Sequence, residues 1–208
     1  MGKKDILERI LSMFMRYGIR SITMDDIARE LGVSKKTLYH DFEDKHDLIN
    51  RVIDYDMLQS RRFMEEIHRM DLDAIEEVFL VNSRIHQNRA RYNPTFYYDL
   101  KRHYPDTYQR WLGEKRQNMF GLITENLQKG KREGVYREEI HEHTIGKLYL
   151  ARIEMLDSNE IIDGHQTLSA EFLQEIFSYH LHGICNGNGL KTLAEFKEKS
   201  ENIQVKEI

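Results

Sequence analysis

Residues 33–49 read VSKKTLYHDFEDKHDLI, and the fold of the chain turns on how they are arranged. Val33, Leu38 and Phe42 are spaced to hold one short helix down, which leaves Lys35, Lys36, Thr37, Tyr39 and His40 on its open side. Ordinary surface lysines on a bundle helix would leave the same pattern. The segments on either side must therefore decide what the open face is for.

Ser34 is a good N-cap for that helix, and Gly32 and Val33 stand just before it. Further upstream, TMDDIAREL puts Thr23 three residues ahead of Asp26, a capping-box-like start, and Met24, Ile27, Ala28 and Leu31 follow at helical spacing. Two short helices joined by a glycine-containing turn make a helix-turn-helix. Ahead of this pair, Leu7, Ile10, Leu11 and Phe14 mark one face of a first helix that stops at Gly18. Behind it, Asp44 caps a fourth helix with Leu48, Val52 and Tyr55 on its inner face, running to about Met70 and long enough to connect two bodies.

A helix-turn-helix reads DNA because its second helix fits the major groove while its neighbour braces on the backbone. Lysines and hydroxyls reach phosphates or base acceptors, and the Thr37 methyl suits thymine. Lys45 falls in the first turn of the fourth helix, where free amides and the positive end of the dipole favour a phosphate. With Thr23 and Ser34 at the two helix starts, Lys35, Lys36, Thr37, Tyr39, His40 and Lys45 are the predicted DNA contacts.

The totals agree with this and narrow it. With 208 residues, 40% of them apolar, the chain can build one large domain or two small ones, and its only prolines are Pro94 and Pro105, which predicts an all-α protein. A net charge of −4 argues against indiscriminate coating of nucleic acid, and the acidic excess falls outside residues 1–51, where ten Lys/Arg meet nine Asp/Glu. A lone cysteine, Cys185, makes no intrachain disulfide and points to a reducing cytoplasm. No apolar run approaches the ~20 residues of a membrane span. Asp5, Glu8, Arg9 and Arg16 interrupt any signal-peptide core, and Ile6 stands where a myristoylation motif wants Ser or Thr.

From Ile6 to Val52 the chain resembles the DNA-binding domain of the TetR family of transcriptional regulators. YGIRSITMDDIARELGVSKKTLYHDFEDKHDLI carries the family's Tyr-Gly-Ile entry, the Thr before helix two, the Gly-Val-Ser turn, the Tyr and Phe pair and the Lys after it. The resemblance implies a two-domain, all-helical homodimer. Residues 1–50 would bind double-stranded operator DNA through a three-helix head, with a connector helix from about 45 to 70, and residues 51–208 would bind a small-molecule effector and dimerise. Asp41 departs from the aromatic or basic residue many members carry there. DLKRHYPDTYQRW and HLHGICNGNGLKTLAEF resemble the ligand domains of the family only loosely. The function implied is a ligand-responsive repressor on a near-palindromic operator; a local activator is the close variant, and an enzyme in the C-terminal helices lacks a catalytic constellation.

Beyond residue 70 the pattern predicts helices over 71–92, 94–104, 105–134, 141–158 and 169–184, a polar loop over 159–167, a helix stop and turn at Gly187-Asn188-Gly189, and a last amphipathic piece over 190–199. Eight aromatic or imidazole rings crowd the two prolines and read either as core or as the lining of a ligand pocket. The pocket reading takes Phe96, Tyr97, His103, Tyr104, Trp111 and Phe120, with Arg152 as polar anchor. For dimerisation, Phe172, Ile176, Tyr179 and Gly183 form one stripe and Ile145, Leu148 and Arg152 a facing row, which together predict a four-helix bundle between subunits.

No metal or cofactor is expected. His141 and His143, like His180 and His182, stand two apart, about 200° around a helix, and cannot chelate from one face. His182 and Cys185 do share a face, but a lone cysteine in an apolar helix is ordinarily a small buried hydrophobe.

Overall fold

The structure, a computed structural model, describes residues 3–91, 93–158 and 169–204. Ten α-helices are found among them: α1 (Lys3–Tyr17), α2 (Met24–Leu31), α3 (Lys35–Asp41), α4 (Lys45–Arg69), α5 (Ala74–Arg91), α6 (Pro94–His103), α7 (Pro105–Arg132), α8 (Glu142–Ser158), α9 (Ala170–Ile184) and α10 (Gly187–Gln204). The all-α expectation holds. The predicted polar loop at 159–167 lies outside the described residues.

Two compact units divide the chain. The first comprises residues 1–69 and 82–118, and the second 70–81 and 119–208. The first unit thus takes in more than a head ending near residue 50. Its apolar core joins Ile10 and Phe14 of α1, Ile27 of α2, Leu38 of α3 and Leu48, Val52 and Ile53 of α4 with Phe96 and Leu100 of α6 and Trp111 of α7. The Trp111 indole N–H, buried with its ring, donates to Asp56 of α4 at 3.0 Å.

The second unit closes on polar groups inside an apolar body. The Tyr136 hydroxyl, wholly buried, bonds the Ala74 carbonyl at 3.2 Å and the Asn126 side chain at 3.1 Å. Asn186 caps α10 with Oδ1, accepting from the amides of Asn188 and Gly189 at 2.9 and 3.0 Å. Its Nδ2 donates back to the carbonyls of Gly134 and Tyr136. The predicted stop is therefore at Cys185, the C-cap of α9, and the glycines after it begin α10 instead of forming a turn. Gly189 is required there because an added Cβ would come within 2.0 Å of the Val135 carbonyl oxygen.

Candidate nucleic-acid interface

The local chemistry that builds α2 and α3 is fully expressed. Thr23 Oγ1 accepts from the Asp26 amide at 3.2 Å while the Asp26 carboxylate accepts from the Thr23 amide at 3.0 Å and its hydroxyl at 2.6 Å, completing a capping box. Those hydrogen bonds hold the Asp26 carboxyl below its ordinary range. Gly32 ends α2 at φ +69° with nothing within 4 Å of where a Cβ would stand. Its positive φ is what turns the chain, since other L residues are penalised there.

Ser34 caps α3, accepting from the Thr37 amide at 3.0 Å, and its hydroxyl lies 2.7 Å from that of Thr37. Within α3 only Leu38 is buried, with Phe42 buried at the C-cap. Each contributes about 1.5 to 3 kcal/mol of apolar burial, and together they fix which way the helix faces.

That orientation leaves Lys35, Lys36, Thr37, Tyr39 and His40 exposed on one surface. The predicted DNA contacts of α3 are thus brought together, though they differ in what holds them. Lys35 pairs with Asp25 of α2 at 2.8 Å, which raises its pKa, and lies 6.0 Å from the Tyr39 ring centre. His40 Nδ1 stands 3.4 Å from the Asp41 carboxylate, so Asp41 masks part of the far end of the helix. Lys36 makes no hydrogen bond or ion pair within the described residues. Thr23 and Ser34 are exposed too, with their side chains engaged in capping.

Lys45 departs from expectation. Its ammonium is turned into the first unit, where it donates to the carbonyls of Ile19 at 2.8 Å and Ile22 at 2.5 Å. Burial lowers its pKa, and the Asp99 and Asp26 carboxylates oppose that shift. What α4 leaves at its N-terminus are the Lys45 and His46 amides, because Asp44 already serves those of Asp47 and Leu48.

Residues that sequence reasoning missed complete the clamp on the α1–α2 connection. Buried Asp99 of α6 accepts from the Arg20 amide at 2.8 Å. Asn93 caps α6 with Oδ1 on the Thr95 amide and closes the end of α1, its amide donating to the Met15 carbonyl at 2.8 Å and its Nδ2 to that of Arg16 at 3.2 Å. The signal available for Asn93 was an Asn directly before a Pro, the pattern of an N-cap followed by N1. Nothing local marks Asp99.

The predicted ligand residues do not form one set. Phe96 and Trp111 belong to the apolar core of the first unit, and the partly buried Tyr97 and Tyr104 pack against it, with Tyr97 5.5 Å from the Trp111 ring. Exposed His103 ends α6. Phe120 and Arg152 lie in the second unit, where Phe120 meets His143 edge-on at 5.3 Å. Among the predicted dimer residues Leu148, Phe172 and Tyr179 are exposed at 65, 39 and 82%, a large apolar area for one helix pair. Ile145 and Ile176 are half-buried, and Gly183 opens onto empty space. Among the described residues no group of three or more His, Cys, Asp or Glu is placed to hold a metal ion, and no helix is long and apolar enough to cross a membrane.

A short capped helix pair joined at Gly32, presenting cations, hydroxyls and an aromatic ring on one face, is a helix-turn-helix. Residues 6–52 match the model for bacterial regulatory proteins of the tetR family. Over 185 residues the chain is 25% identical to the uncharacterized HTH-type transcriptional regulator YvaF of Bacillus subtilis (strain 168), covering 87% of this chain and 94% of that one. Its fold matches a TetR-family transcriptional regulator from Agrobacterium tumefaciens with a TM-score of 0.68 at 16% identity, over 88% of this chain and 96% of the other. The fatty acid degradation regulator FadR from Bacillus halodurans matches with a TM-score of 0.61 at 16% identity, over 87% and 96%. Residues 6–52 are thus similar to the DNA-binding domain of TetR-family regulators, and the fold of the rest of the chain is similar to solved structures that carry such a domain.

Proposed function

We propose that this protein is a cytoplasmic, dimeric repressor that binds a near-palindromic operator and is released by a small, largely apolar or aromatic molecule. The observation that carries the proposal is the exposed face of α3, with Lys36 unbonded, the Thr37 methyl and hydroxyl at the surface, and Leu38, the one buried side chain of the helix, turned inward. Lys35, Tyr39 and His40 flank them as phosphate or base contacts, and the Lys45 and His46 amides at the start of α4 offer a further phosphate seat. Two such heads on one face of a duplex stand about 34 to 36 Å apart, which makes the operator a near-palindrome.

Dimerisation uses α8 and α9, where Leu148, Phe172 and Tyr179 are uncovered and Ile145, Ile176 and Gly183 continue the surface. The effector is held in the second unit, where Phe120 and Arg152 lie, and not around Phe96 and Trp111, which the first unit's core already occupies. It acts by binding one conformer of the dimer better than the other, since equal affinity would shift nothing.

Selection from a randomised duplex library with the purified full-length protein tests the reading. The expected product is one near-palindromic site, bound by a dimer and weakened as salt rises. Uniform binding of all sequences would refute it, and transcription raised in a reconstituted assay on the selected site would replace repressor by activator.

A further inference from the structure

Tyr149 and Arg152 stand one turn apart on α8 and face α9. The Arg152 guanidinium lies over the Tyr149 ring, 4.1 Å from its centre, and Nη1 donates to the carbonyl of Ile176 at 3.1 Å. The Tyr149 ring meets that of His180 at 4.3 Å, and Tyr149 is only 3% exposed. Two donors in this cluster are out of solvent and donate to no acceptor among the described residues: the Tyr149 hydroxyl, whose oxygen is close enough to the Arg152 guanidinium for that cation to oppose the upward pKa shift that burial causes, and Arg152 Nε. No carboxylate among the described residues pairs with Arg152. His180 brings no charge, because burial first, and the Arg152 cation second, lower its pKa to about 3.

Native proteins bond nearly all their buried donors, and a half-buried guanidinium whose Nε is shut off from water is stabilised by a counter-ion that reaches it. Two adjacent orphan donors beside an uncompensated positive charge are therefore completed by something that accepts twice and is negative. A carboxylate does both. A neutral amide or alcohol leaves the cation uncompensated, and an amine adds one more donor. The apolar wall is also present in this unit, where the Phe79 ring packs on Phe177 at 5.1 Å and on Phe196 at 4.6 Å. Phe177 directly follows Ile176, whose carbonyl holds the guanidinium.

We propose that Arg152 Nε and the Tyr149 hydroxyl form the head-group subsite for the effector, and that this effector is a carboxylate on an apolar body. The inference rests on the effector reading above and deepens it. Arg152 supplies charge and one donor, Tyr149 the second donor, and His180 a neutral ring that fixes Tyr149 from the side.

The test uses the full-length protein with decanoate and 1-naphthoate as probes and their primary amides as neutral counterparts. Binding is measured by calorimetry and operator release by fluorescence anisotropy, separately. The expected result is that each carboxylate binds about tenfold or more tighter than its amide. Arg152→Gln abolishes that ratio, and Tyr149→Phe reduces it severalfold, in variants whose melting curves show a folded protein. Carboxylate binding without operator release supports the subsite and sinks the effector reading alone. Equal affinity for acid and amide, a ratio unmoved by Arg152→Gln, or no binding of either carboxylate at millimolar concentration overturns the proposal. So does an Arg152→Gln variant that loses self-association while keeping the ratio, because the acceptor then comes from a second copy of the chain.

Discussion

Lys36 and Lys45 are ten residues apart and should fail in opposite ways. Lys45→Met keeps the aliphatic stem and removes the ammonium that donates to Ile19 and Ile22. A charged hydrogen bond contributes about 1.5 to 3 kcal/mol, but desolvation of this ammonium, visible in its lowered pKa, offsets part of the two bonds. A net loss of about 2 to 3 kcal/mol is expected, a fall of roughly 4 to 10 °C in melting temperature. Operator affinity should fall through that destabilisation, with base preferences unchanged. Lys36 is exposed and unbonded, so Lys36→Ala should leave stability within about 0.5 kcal/mol and alter which base pairs are preferred by about 1 to 3 kcal/mol at the affected position. Calorimetric melting and binding to a randomised operator library at several salt concentrations separate the two. A Lys45→Met variant that melts like the parent and loses about one unit of salt slope per head would show that the ammonium serves a phosphate, and the clamp reasoning would be wrong.

Gly32→Ala should cost about 1 to 2 kcal/mol purely through backbone strain at φ +69°, because no atom lies within 4 Å of the new Cβ; denaturant melts at constant m-value check this. Gly183→Trp should leave the folded subunit intact and weaken self-association, since an added Cβ has nothing within 4 Å of it; light scattering at micromolar concentration reads the association and a melting curve checks the fold. His180 is held neutral down to about pH 3 in the folded state but binds a proton near 6.5 when unfolded. Unfolded chains then carry the extra proton below 6.5, so stability falls with acidification, by about 1 to 2 kcal/mol from pH 7 to 5. His180→Gln should flatten that slope relative to the parent, and an unchanged slope would count against it.

The helix-turn-helix was legible because its signals are local. Thr23 with Asp26, Gly32, and Ser34 with Thr37 each act within three or four residues, and each appears in the structure as the spacing implied. The aromatic run was not legible in the same way. Periodicity shows that Phe96, Trp111 and Phe120 have an inner face to fill, but not which body supplies it; the first two fill one unit and the third another. The Gly187-Asn188-Gly189 segment looked like a turn because glycine disfavours helix, whereas tertiary crowding by the Val135 carbonyl overrode that propensity. Lys45 misled for a related reason. Its position at a helix N-terminus is a sequence fact, but the direction of its side chain depends on carbonyls more than twenty residues upstream.

The α3 helix has seven residues and one buried side chain, too little to hold its own place, so the aim of its exposed face depends on how firmly α1 and α2 are tied. That tie passes through Lys45 and Asp99, which grip the same six-residue connection from α4 and α6. Asp99 accepts from the Arg20 amide, and its charge also favours the Lys45 ammonium against burial. Asp99→Ala should therefore do two things: leave a part-buried amide without its acceptor, costing about 1 to 3 kcal/mol, and weaken the hold of Lys45 on Ile19 and Ile22. The two effects separate in a double-mutant cycle with Lys45→Met. If the grips are coupled, the double variant loses about 0.5 to 2 kcal/mol less than the two single losses together. Strict additivity, measured by denaturant melting, would mean that Asp99 secures only the Arg20 amide and that the two residues act on the connection independently.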